Sequence, residues 1–294
     1  MSEQDWLAQR FEEHRRRLRA VAYRMLGSMS EAEDAVQEAW LRLSGSEPGE
    51  IENLSGWLTT VVARVSLNML RSRAARREQP LSPYLPDPII DRVDGVDPEH
   101  EALLADSVGL ALLVVLETLT PPERLAFVLH DMFGVPFEQI ATLLDRSPEA
   151  ARQLASRARR RVRAQPTTPD VDVSAQREVI DAFLTAARTG DFDALVATLD
   201  PDVVLRADGG AALAALSAEV RGAVNVARQA TLWSQVELTM HPALVNGAAG
   251  AVVTRNGAVF AIASVIVRNG RIAEMDFLAD PERLARLDLT MIDS

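Results

Sequence analysis

FEQIATLLDRSPEAARQLASRARRRVR, residues Phe137 to Arg163, reads as a helix-turn-helix that presents arginines to DNA. Phe137, Ile140, Ala141 and Leu144 share one apolar face of a short helix. Asp145-Arg146 is the turn, Ser147 the N-cap and Pro148 the first residue of a second helix, because a serine side chain satisfies free helix amides and proline has none to leave unpaired. At about 100° per residue, Ala151, Leu154, Ala155, Ala158 and Val162 fall on one side of that helix. Glu149, Arg152, Gln153, Ser156 and Arg160, flanked by Arg157, fall on the other. Arginine and glutamine carry forks that match base edges, and further arginines can hold phosphates. A solvated basic helix closing a bundle would show much the same pattern, so the rest of the chain has to decide.

Charge does part of this. The net charge of −11 opposes DNA binding, but it is unevenly spread. Residues 138–165 hold seven arginines against three acids, whereas residues 80–137 hold two against ten and residues 166–294 ten against seventeen. Positive charge is therefore concentrated on the helix-turn-helix, where release of counterions from phosphates needs it. Composition bounds the remainder. A chain of 294 residues has room for two or three domains, and 48% hydrophobic with 25% charged residues is globular. No apolar run is long enough to cross a bilayer and the N-terminus is not signal-like, so no membrane association and a cytoplasmic location are expected. There is no cysteine, and His14, His100, His130 and His241 make no ligand spacing, so neither a metal nor a cofactor is expected.

Residues 6–77 are helical by periodicity. Residues 78–101, EQPLSPYLPDPIIDRVDGVDPEHE, contain five prolines and much acid and read as an extended linker. Residues 102–164 are helical again. After a short linker at Thr167–Asp170 come two amphipathic helices, marked by Val179, Ile180, Phe183, Leu184 and Ala187 and then by Phe192, Leu195, Val196 and Leu199. The chain ends in strands around Asn256-Gly257 and Asn269-Gly270, both strong hairpin signals. In the first block, Ser30-Glu31-Ala32-Glu33 has the pattern of a capping box opening a helix to Leu43. Val36, Ala39, Trp40 and Leu43 form its core face, and Leu41 lies opposite beside Asp34 and Glu38. A leucine exposed within an acidic surface suits a protein partner, although single exposed leucines are common. Trp57 to Arg77 forms a longer helix with Trp57, Leu58, Val61, Val62, Val65 and Met69 inward and Arg64, Asn68, Arg71, Arg73, Arg76 and Arg77 crowding its second half. Cations there also suit the helix dipole.

On these segments the chain resembles a known family. FEEHRRRLRAVAYRMLGSMSEAEDAVQEAWLRL and GWLTTVVARVSLNMLRSRAARRE are similar to region 2 of bacterial sigma factors. LETLTPPERLAFVLHDMFGVPFEQIATLLDRSPEAARQLASRARRRVR is similar to region 4. Only the proline-rich linker separates them, which resembles the extracytoplasmic-function group. The resemblance implies that Asp34, Gln37, Glu38 and Leu41 dock on the β′ clamp helices of core RNA polymerase, with the β subunit as a further partner. It implies that Asn68, Arg71 and Arg73 act at the −10 promoter element, and that Arg152, Gln153, Ser156, Arg157 and Arg160 read the −35 element.

The C-terminal pattern resembles the SnoaL-like (nuclear-transport-factor-2-like) domain carried by a small group of these factors, the sigma J type among them. Three motifs support this: Tyr84-Leu85-Pro86-Asp87-Pro88 in the linker, Asp208-Gly209-Gly210, and Asp280-Pro281-Glu282-Arg283-Leu284. The family pattern continues after the second glycine with a glycine and a lysine, where this chain has Ala211 and Ala212. Tyr84, Pro86, Pro88, Asp208, Gly209, Gly210, Asp280 and Pro281 are thus regulatory candidates. The expected architecture is multi-domain: two all-α domains followed by an α+β cone. Its parts are region 2 at 1–79, the linker at 80–108, region 4 at 109–165 and the SnoaL-like domain at 170–294. No catalytic residue is assigned. Asp208 would have to serve as the base and His241 as base or oxyanion donor, and the chain's tyrosines, Tyr23 and Tyr84, lie outside the domain. The expected function is promoter-specific initiation modulated by the C-terminal domain, with an unidentified small ligand in that domain's pocket as a further candidate partner. The rival reading is a one-component helix-turn-helix regulator with a ligand-sensing C-terminal domain.

Overall fold

The computed structural model describes residues 3–46, 53–76, 84–93, 95, 110–164, 172–287 and 289. They form two compact units. In the first, α1 (Glu3–Leu26), α2 (Met29–Ser44) and α3 (Leu54–Arg76) pack on one another. Gly27, at φ +68, ends α1 in the left-handed region that glycine alone adopts without cost. One extended residue follows before the next helix. The cap of α2 is therefore Ser28, whose hydroxyl accepts from the Glu31 amide, rather than the expected Ser30. The Ser30 hydroxyl instead lies 3.1 Å from that of Ser28. Val36, Ala39 and Leu43 are buried, and the half-buried Trp40 ring lies 5.2 Å from Phe11. Asn53 caps α3 by accepting from the Gly56 amide at 3.0 Å. Leu58, Val62 and Val65 are buried as expected, while Trp57, Val61 and Met69 are half-buried. Leu67 and Leu70 are also buried, because α3 packs against both α1 and α2.

The first unit continues through most of α4 (Leu110–Glu117), then α5 (Pro121–Phe127) with a wider turn of helix at Val128–Met132, α6 (Phe137–Leu144) and α7 (Pro148–Ala164). Thr120 and Glu123 close a capping box at the start of α5. Arg124, almost wholly buried, donates from Nε to the Arg24 carbonyl at 3.1 Å and from Nη1 to Glu117 at 2.6 Å. The Arg24 guanidinium in turn lies 5.0 Å from the Phe133 ring. The two helical segments are thus joined by hydrogen bonds to a helix terminus as well as by apolar packing.

The second unit is α+β. Its seven strands are β1 (Ile90–Asp91), β2 (Leu199–Asp208), β3 (Ala218–Arg221), β4 (Thr239–Val245), β5 (Ala248–Arg255), β6 (Ala258–Arg268) and β7 (Arg271–Leu278), in the order β1-β4-β5-β6-β7-β2-β3. All neighbours are antiparallel except the β2–β7 pair. Asn246-Gly247, Asn256-Gly257 and Asn269-Gly270 have positive φ at both residues, the backbone of the tight hairpin turn whose twist matches that of the strands. Helices α8 (Val173–Thr189), α9 (Phe192–Thr198) and α10 (Ala223–Trp233) cover one sheet face, where Phe183, Leu195 and Val226 bury against Leu205, Val265 and Met275. The last helix, α11 (Pro281–Leu284), is a single turn. Among the described residues, no helix is long and apolar enough to cross a membrane.

Opposite the helical face a line of charge crosses the sheet. Arg206 on β2 is the cross-strand partner of Glu219 on β3 and Asp276 on β7. Its Nη1 lies 3.0 Å from both Glu274 and Asp276. Burial pushes the Asp276 carboxyl up to about 6, against the attraction of Arg206 and with the repulsion of Glu274. The folded chain therefore binds this proton more tightly than the unfolded chain. The stabilisation is complete below 3.8 and is lost as pH rises through about 6. Asp276→Asn, which does not titrate, should remove that dependence. Between about pH 4 and pH 7 the thermal midpoint of this unit should fall in the wild type relative to the variant; parallel curves would contradict the assignment.

Candidate functional site

The helix-turn-helix forms where expected. α6 ends at Asp145, whose φ of 54 makes the sharp turn, and the Ser147 hydroxyl accepts from the Ala150 amide at 3.2 Å to open α7. Ala151, Leu154, Ala155 and Ala158 are buried beneath it. Arg152, Gln153, Ser156, Arg157 and Arg160 are all exposed on the outer side. Their electrostatic settings differ. Arg152 pairs with Glu138 at 3.1 Å and with Glu149 at 3.4 Å. Arg157 and Arg161 both reach Glu123, at 3.0 and 2.9 Å, and Arg159 reaches Asp131. Arg160 forms no ion pair among the described residues.

Glu123 is the hub of this arrangement. Buried at the start of α5, it accepts from the Thr120 amide at 3.2 Å, the Thr120 hydroxyl at 2.8 Å and the two α7 guanidinium groups. Burial by itself would raise its carboxyl, but the Thr120 hydrogen bonds and the two arginines outweigh that and hold it below its usual value.

In α2, Asp34, Gln37 and Leu41 are exposed and Glu38 is half-buried, at spacings that put all four on one side. Leu41 is 57% exposed, which makes it an apolar point in a polar surface. Glu38 is held by Arg42 at 2.9 Å. In α3, Asn68 and Arg71 are exposed. Arg73 differs from the expectation: it turns inward, donates from both Nη atoms to the Leu26 carbonyl at 3.2 Å and pairs with Glu31. It braces the α1–α2 corner because the carbonyls ending α1 attract a cation.

The three scattered motifs of the regulatory reading meet in the second unit. Arg283 donates from Nε to Asp87 at 2.7 Å, from Nη1 to Asp208 at 2.9 Å and from Nη2 to the Leu85 carbonyl. It also lies 4.6 Å from the Tyr84 ring. Asp208 accepts from the Leu85 amide at 3.0 Å and from the Gly210 amide at 3.1 Å. These partners occupy the carboxylate considered as a base. Burial alone would lower the Arg283 guanidinium, but Asp87, Tyr84 and Asp208 raise it above its ordinary value. Pro86 and Pro88 have no amide to satisfy and are buried. The Ile89 amide donates to Asn246 Oδ1 at 3.1 Å, the Asn246 amide returns a bond to the Ile89 carbonyl at 2.8 Å, and β1 pairs with β4. A side chain at Gly209 would strike the Leu213 carbonyl, and one at Gly210 would strike Asp280. Asp280 caps α11 by accepting from the Glu282 amide, and Pro281 starts it, so the two expected residues serve to aim Arg283. Sequence reasoning assigned no role to Arg283, Asp87 or Asn246. The Asn246-Gly247 turn and the charge of Arg283 inside its motif were the available signals. His241, the other base considered, lies 3.0 Å from the Thr254 hydroxyl across the β4–β5 pair. Among the described residues no group of three His, Cys, Asp or Glu is placed to hold a metal ion.

The Sigma-70 region 2 family matches residues 10–76, and the Sigma-70, region 4 family matches residues 109–162. Over 290 residues the chain is 39% identical to the ECF RNA polymerase sigma factor SigJ of Mycobacterium tuberculosis, covering 93% of this chain and 91% of the relative. It is 34% identical to the probable ECF RNA polymerase sigma factor SigI of the same species, covering 97% of each chain. The crystal structure of Mycobacterium tuberculosis SigJ matches with a TM-score of 0.73 at 35% identity, covering 96% of this chain and 99% of that one.

The Glu123 hub makes a prediction independent of any partner. Glu123→Gln should destabilise the packing of α7 on α5 by about 1–3 kcal/mol, read as faster amide exchange in α7 of the full chain. Because the native carboxyl is depressed, the difference from wild type should be full at neutral pH and shrink as pH falls through its lowered value.

Proposed function

The chain belongs to the extracytoplasmic-function RNA polymerase sigma factors, and on that premise we propose how its parts divide the work of promoter-directed transcription initiation. The α2 surface of Asp34, Gln37, Glu38 and Leu41 binds the β′ clamp helices of core RNA polymerase, and region 4 meets the β subunit. Asn68 and Arg71 act at the −10 element, with Arg73 supporting the helix that carries them rather than touching DNA. Arg152, Gln153, Ser156 and Arg160 read the −35 element in the major groove. Arg157, paired with Glu123, serves there as a phosphate contact at most.

The C-terminal domain acts as a built-in regulator rather than as an enzyme. The observation that carries this reading is the Arg283–Asp208 latch on residues 84–91. That segment belongs to the connection between regions 2 and 4. At about 3.3 Å per extended residue, pinning eight residues withdraws over 20 Å of reach from the tether. A domain joined directly after region 4 holds the latch at high effective concentration. Released, the linker lets regions 2 and 4 separate onto their two promoter elements; latched, it restrains them. The one-component reading is not favoured, since an autonomous operator-binding protein has no use for the α2 surface.

Run-off transcription with core RNA polymerase on the protein's own upstream region tests this division. Arg283→Ala should raise output by about fivefold or more while core polymerase still co-purifies with the variant. Unchanged output would reduce the latch to a structural feature. Leu41→Asp should abolish co-purification, and retention of binding would remove the α2 surface from the account.

A further inference from the structure

Region 4 places an acid where a DNA-binding surface ordinarily excludes one. Glu138, in the first turn of α6, is exposed, yet its Oε1 accepts from Arg152 Nη2 at 3.1 Å. Glu149 accepts from the other terminal nitrogen of Arg152 at 3.4 Å. The same guanidinium lies 5.5 Å from the centroid of the Phe137 ring. Phe137 is itself stacked on His130 at 3.8 Å, and His130 Nδ1 lies 3.0 Å from the Val135 carbonyl. Arg152 therefore rests on a platform built from the end of one helix and the start of the next, between two carboxylates. An arginine meant only to hold phosphate needs no such setting, and an acid beside it weakens phosphate binding. An arginine meant to read a base gains from it, because the planar fork discriminates guanine only when its two donors are presented edge-on.

We infer that Glu138 is a positioning residue for promoter recognition, holding Arg152 in the pose in which it reads one base pair of the −35 element and exchanging general DNA affinity for sequence discrimination. This rests on the proposed base-reading role of α7. Arg157 and Arg161 are held by Glu123 in a different setting, without an aromatic platform of this kind among their described contacts. Among the described residues the Glu138 carboxylate pairs with Arg152 alone.

The test is run-off transcription by full-length protein with core RNA polymerase, on promoter fragments in which each −35 base pair is changed in turn. Wild type, Glu138→Ala, Arg152→Ala and the double variant are compared, together with duplex binding across a salt series. Glu138→Ala should reduce discrimination at one base pair by about fivefold or more, leave the other positions unchanged and strengthen binding to unrelated DNA. Combined with Arg152→Ala, it should add no further loss at that position. A uniform rise at every position, or an effect of Glu138→Ala that persists without Arg152, would show that the acid acts only by repelling phosphate, and would overturn the inference while leaving base reading by α7 intact. A −35 profile unchanged by Arg152→Ala would overturn the inference together with the base-reading role. Because Glu138 is exposed, its removal leaves the fold in place, which thermal unfolding of the variant verifies.

Discussion

One guanidinium joins residues 84–87 to the end of β2 in the second unit. Arg283 has five donors and no means of giving up its charge, so burying it demands acceptors on every side. Asp87, Asp208 and the Leu85 carbonyl supply them, and Tyr84 covers the flat face. Three of these four groups come from the chain between the helical regions and one from the end of β2. Taking away Arg283 leaves Asp87 and Asp208 as carboxylates without their shared cation, which costs more than the ion pairs contribute when complete.

The rest of the latch follows from sequence chemistry. Prolines at 86 and 88 remove amides that would need partners, and the amides on either side go to Asp208 and Asn246. Glycines at 209 and 210 give the close approach that a Cβ would forbid. Asp280 and Pro281 start a helical turn just long enough to aim one arginine. The departure at Ala211 and Ala212 lies outside the described hydrogen bonds of Asp208 and Arg283, so the latch forms without the lysine that the family pattern carries there.

Much of the fold was legible because it is local. The Ser147-Pro148 cap, the Asn-Gly hairpins and the spacing of Asp34, Gln37, Glu38 and Leu41 each follow from a few adjacent residues, and the structure places them as read. Ser30 fits the cap pattern, but the turn at Gly27 starts the helix at Met29 with Ser28 as its cap. The other departures depend on partners far away in the chain. Arg73 looked like a DNA contact, but its acceptors are Leu26 and Glu31. Arg157 sits on the outer face by periodicity, yet its ion pair is with Glu123, thirty-four residues earlier. A helical wheel gives direction and exposure but says nothing of which acid lies beyond the helix. For the same reason the three regulatory motifs are legible separately, while the role of Arg283 in joining them is not.

Amide hydrogen exchange on the free, full-length protein tests the central claim most directly. If Arg283 and Asp208 hold the linker, the amides of Leu85 and Ile89 exchange slowly in the wild type and rapidly in Arg283→Ala, while α1–α3 exchange alike in both. Equal rates at Leu85 and Ile89 in the two proteins would mean that the linker is not held by this contact, and regulation through it would fall.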